Sequence, residues 1–66
     1  MAKVRVIEEI RYEEVERLNP DAQITPTFAV STELLMAEIQ SELPDIIVET
    51  EHGPLLLPIN SLQLLD

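Results

Sequence analysis

The chain has 66 residues, with thirteen acids against four bases and a formal net charge of −9. At roughly 100–200 residues per domain this is a single small acidic domain spanning 1–66, and an apolar share of 45% is too high for a disordered acidic tail. The lack of cysteine excludes a disulfide framework and a thiolate zinc site, and a single glycine excludes a Gly-rich phosphate loop.

Lys3-Val4-Arg5-Val6-Ile7 alternates basic and apolar residues, which predicts a short strand with Val4 and Val6 on one face. Arg5, Glu8 and Glu9 interrupt any secretory apolar run. The longest aliphatic runs, Ile46-Ile47-Val48 and Leu55-Leu56-Leu57, fall far short of the roughly 20 residues that span a bilayer. A cytoplasmic protein without membrane contact is expected. Residues 8–18 are rich in helix formers, and Glu13 precedes Arg17 by one favourable i,i+4 step. Arg11 and Glu14 fall inside the apolar face of that helix, so an extended alternative, aligning Ile10 and Tyr12 with Val4 and Val6, stays open. Asn19-Pro20-Asp21 ends the element as a turn. Residues 24–30 are apolar and β-branched, with Pro26 confining them to an edge, a bulge or a short strand.

The spacing predicts an amphipathic helix over 32–43, capped by Ser31 or Thr32 and stopped by Pro44. Leu35, Met36, Ile39 and Leu43 form its core-facing stripe. Leu34, Ala37 and Ser41 line the opposite side, where small residues beside a leucine let another element approach. This line, rimmed by Glu38, Glu42, Glu49 and Glu51, is the candidate partner-binding surface.

Residues 46–59 read as a hairpin around Glu51-His52-Gly53-Pro54, with Thr50 opposite Leu55 and Val48 opposite Leu57. A four-residue loop is expected because a His-Gly loop would require an amide from Pro54. Ile46, Val48, Thr50, Leu55, Leu57 and Ile59 then face the core, and Ile47, Glu49, Glu51, Leu56 and Pro58 share the other face. Pro54 and Pro58 lack an amide on the same side, which makes theirs an edge strand facing solvent. Asn60 or Ser61 begins a short closing turn that packs Leu62, Leu64 and Leu65 back. A twisted hairpin with such a turn also occurs in small SH3-like barrels, a likeness of architecture only. The expected fold class is α+β, a β-sheet containing the 46–59 hairpin packed against helix 32–43.

His52 is the only histidine, and Ser31, Ser41 and Ser61 are the only serines. A Ser-His-Asp set is composable on paper, but His52 at the hairpin tip is explained by exposure and turn geometry. Glu49, Glu51 and His52 lie close enough in sequence to suggest a cation site, yet they carry no motif spacing and read as a solvated loop. No enzyme, cofactor or metal is expected.

All four bases lie at or before Arg17, and 18–66 holds eight acids and no base. Such a surface repels phosphate backbones and anionic lipid, so neither nucleic acid nor membrane is expected as a partner. Ile, Leu and Val together make up 22 residues, more than so small a core hides. Self-association as a homodimer, or a place in a larger complex, would cover the surplus. The expected function is a non-enzymatic protein-protein interaction module, a regulator or accessory subunit of a cytosolic complex. It would dock an aliphatic patch rimmed by carboxylates onto a partner with a basic surface. The alternative is an acidic neutraliser, an antitoxin or nucleic-acid mimic.

Overall fold

The computed structural model describes residues 2–38 and 45–65. Among these residues five antiparallel strands and one helix follow one another as β1 (Lys3–Val6), α1 (Tyr12–Leu18), β2 (Glu33–Glu38), β3 (Asp45–Thr50), β4 (Gly53–Pro58) and, after a 3-10 turn (Ile59–Ser61), β5 (Leu62–Leu64). The sheet order is β4-β3-β2-β1-β5, so the last strand returns to lie beside the first. The fold is α+β, as the sequence pattern implies.

The core is made by alternation. Val4 and Val6 of β1, Met36 of β2, Ile46 and Val48 of β3, and Leu55 and Leu57 of β4 all point to one side of the sheet and are buried. Leu62, Ile10 and Phe28 join them, the last two through an isolated antiparallel bridge. Helix α1 adds a single fully buried side chain, Val15. With seven residues it is too short to hold itself together, and tertiary contacts supply what propensity does not. Thr27 Oγ1 accepts the Tyr12 N–H at 3.0 Å, satisfying one of the donors that every helix start leaves open.

The helix therefore lies within 8–18, the helical reading of that segment, and residues 33–38 of the helix expected over 32–43 are strand instead. Residues 33–38 form the central strand β2, and residues 39–43 lie outside those described. Glu, Leu, Met and Ala favour a helix locally, but β1 and β3 each need a hydrogen-bonding neighbour, and β2 is the strand between them. Consecutive apolar residues such as Leu34-Leu35-Met36 satisfy either period, so local pattern does not choose. Ser31, expected near a helix cap, instead turns the chain into β2 at φ 79°, its N–H bonded to the Val6 carbonyl at 2.8 Å.

The hairpin is present, with its register shifted by two from the expected one. Thr50 pairs with Gly53, Val48 with Leu55 and Ile46 with Leu57. The loop is Glu51-His52, and Gly53 at φ 91° closes it, so no amide is asked of Pro54. Thr50 Oγ1 fastens the turn, accepting the His52 N–H at 3.0 Å and donating to the Gly53 carbonyl at 2.7 Å. Because two residues is one full pleat, the face assignment survives the shift, except that Ile59 leaves the strand for the 3-10 turn and is exposed.

Strand β4 is an edge, but its outer side is not left to solvent. Asn19, at the end of α1, uses its side-chain amide as a substitute strand. Nδ2 donates to the Leu56 carbonyl at 2.9 Å and Oδ1 accepts the Leu56 N–H at 2.8 Å, while Nδ2 also reaches the Val15 carbonyl at 2.9 Å. Pro54 and Pro58 offer no donor on either side of it. The β4 edge is closed to another strand.

Candidate protein interface

The face of the sheet turned away from the core is built in rows across the strands. Arg5 stands beside Glu33, Lys3 beside Leu35, Leu35 beside Glu49, and Glu49 beside Pro54. In the next row Ile47 stands beside Leu56, and Asp45 beside Pro58 follows. Leu35 is 43% exposed, and Ile47 and Leu56 are half-buried. A β-bulge between Met36 and Glu38 puts the extra residue, Ala37, exposed next to this group. The result is an aliphatic patch of Leu35, Ala37, Ile47 and Leu56, with Asp45 and Glu49 on either side of Ile47 along β3.

Charge divides across this face. On the β1 flank Glu33 bridges both bases, at 3.7 Å from Lys3 Nζ and 3.4 Å from Arg5 Nη2. On the β3 flank Asp45 and Glu49 carry no ion pair among the described residues. The two remaining bases are also engaged. Arg11 meets Glu13 at 3.2 Å and Glu9 at 3.8 Å, and Arg17 pairs with Glu14. They line an open cleft of about 460 Å³ whose cations are already matched by carboxylates.

The structure brings together some of the expected contact residues and separates others. Ala37 and Glu49 belong to the patch. Leu34 does not: in a strand it points opposite to Leu35, is half-buried, and packs against the core. The line Leu34, Ala37 and Ser41 is thereby replaced, since it depended on helical spacing. Glu51 is exposed at the hairpin tip, Glu38 pairs with Ile47 in the backbone of β2, and Ser41 and Glu42 lie outside the described residues. Glu49, Glu51 and His52 do not form a cluster, and among the described residues no group of three histidines or carboxylates is placed to hold a metal ion. Leu35, Ile47, Leu56 and Asp45 were missed as contact residues. The hairpin's second face already held Ile47 and Leu56; nothing local marked Leu35.

No family model, no curated protein and no solved structure matches the chain. Among the described residues no helix is long and apolar enough to cross a membrane.

Proposed function

We propose that the protein is a non-enzymatic binding module, a regulator or accessory subunit that docks the Leu35, Ala37, Ile47 and Leu56 patch onto a protein partner with a basic surface. The observation that carries this is the flanking of Ile47 by Asp45 and Glu49 on the outer face of β3, with no cation of its own chain beside them. Apolar contacts at the centre supply affinity, and the carboxylates select a partner bearing Lys or Arg and speed its approach. A non-catalytic reading is supported by where the polar groups lie: among the described residues none is buried, whereas catalysis draws on charges held in a water-poor site. The matching of each base by a carboxylate favours a protein partner over a phosphate backbone. A second copy is the rival occupant, disfavoured by a charge of −9 on each chain.

Affinity capture from native extract with wild type and Leu35→Glu, followed by calorimetry of the recovered partner, tests the reading. One partner should bind, more weakly as salt rises, and Leu35→Glu should abolish the binding. Salt-independent binding, or binding indifferent to Leu35→Glu, contradicts it.

A further inference from the structure

The two edges of the sheet are treated differently. On β4 the outward positions are Pro54, Leu56 and Pro58, two without an N–H and one whose N–H and C=O are both taken by Asn19. On β5 nothing comparable is present among the described residues. The Leu65 N–H bonds the Lys3 carbonyl at 2.9 Å and the Ile7 N–H bonds the Ser61 carbonyl at 2.8 Å, so the odd positions of this segment face β1. Leu64, opposite Val4, must then turn its N–H and C=O outward, and neither has a backbone partner among the described residues. Its side chain is 55% exposed. Beside it lies a groove of about 100 Å³ lined, among the described residues, by Val4, Met36, Ile46, Ile59, Leu62 and Leu64.

We infer that β5 is a docking edge that takes an extended segment of a partner in which aliphatic residues alternate with Lys or Arg. Two hydrogen bonds to Leu64 would fix the added strand, alternate aliphatic side chains would enter the groove beside Ile59, and the intervening bases would stand on the opposite face. The net charge of the chain favours this occupant. From residue 18 onward the chain is wholly anionic, so a basic strand is favoured where a second copy, bringing another −9, is not. The strand already seated on the other side of β5 has the same pattern, Val4 and Val6 inward with Lys3 and Arg5 outward. The inference rests on the reading of the protein as a binding module and adds a second contact, distinct from Leu35.

The test uses the full chain and a synthetic peptide of alternating Val and Lys at millimolar concentration, read by amide NMR and hydrogen exchange. The peptide should shift the Leu62 to Leu65 resonances and protect the Leu64 amide. N-methylation of its alternate amides should remove the effect on wild type, whatever happens to any variant. Leu64→Pro removes the outward N–H together with a side chain that lines the groove, so the fold should persist while affinity falls at least about tenfold, more than one ordinary hydrogen bond is worth. An equal response to a Val-Glu peptide, no binding at all, or a concentration-dependent dimer of the protein alone that Leu64→Pro abolishes would each overturn the inference. Shifts confined to Leu35, Ala37 and Ile47 would also overturn it, while leaving the outer patch as the docking site. Loss of partner binding with Leu35→Glu and not with Leu64→Pro separates the two surfaces.

Discussion

Gly53 closes the β3–β4 turn at φ 91°, and no heavy atom lies within 4 Å of where a Cβ would stand. Space is therefore no obstacle to a side chain there; backbone conformation is. Gly53→Ala should cost about 1 kcal/mol, visible as a lower urea midpoint with an unchanged slope. Asn19 is the more consequential single residue, because one side chain ends α1 and closes the β4 edge. Asn19→Ala strands the Leu56 amide and carbonyl, while the Val15 carbonyl keeps the backbone N–H of position 19, and should cost roughly 1–3 kcal/mol in the same assay. Asn19→Asp should do no better despite its equal size. Its carboxylate keeps an acceptor for the Leu56 N–H, but loses the donor and sets a negative charge against the Val15 carbonyl at the helix C-terminus.

At the scale of elements, β2 is where strand and helix make opposite demands on neighbouring leucines. As a helix, 32–43 would leave Leu34 outside the core; as a strand, β2 turns Leu34 toward it and Leu35 away. Leu34→Glu should therefore destabilise by about 2 kcal/mol or more, by burying a charge against the apolar core, whereas Leu35→Glu should stay within about 0.5 kcal/mol of wild type. Thermal melts of the two variants check this directly, and the reverse order would restore the helix. The 46–59 hairpin was legible because two aliphatic runs, two prolines and the lone glycine are local signals that agree. Its register was not, since the choice between Glu51-His52 and a longer loop depends on which residue adopts positive φ. Strand β2 was illegible because its pairing with β1 and β3 spans about thirty and about twelve residues of sequence, and no local propensity records that. The outer patch was half legible for the same reason: Ile47, Glu49 and Leu56 follow from the hairpin's pleat, and Leu35 requires the sheet.

At the scale of the whole molecule, charge and aliphatic surplus act together. The ion pairs are all on the surface and each contributes about 0–1 kcal/mol. Against them stands a net −9 on a chain of 66 residues. Repulsion should win, so the melting temperature should rise from low ionic strength to about 0.5 M sodium chloride as the Debye length shortens; a fall would mean that the local pairs dominate. The same excess opposes aggregation through the exposed Ile7, Ile24, Val30, Leu35, Ile59 and Leu64. Of these, Leu35 stands beside Glu49 in the sheet, and such flanking is what would set the proposed docking patch apart from scattered surface leucines. Methyl NMR of the protein bound to its captured partner tests that distinction most directly. The methyl resonances of Leu35, Ala37, Ile47 and Leu56 should shift together and return as salt is raised. A footprint on the Arg11 and Arg17 cleft with those four methyls unmoved would contradict it.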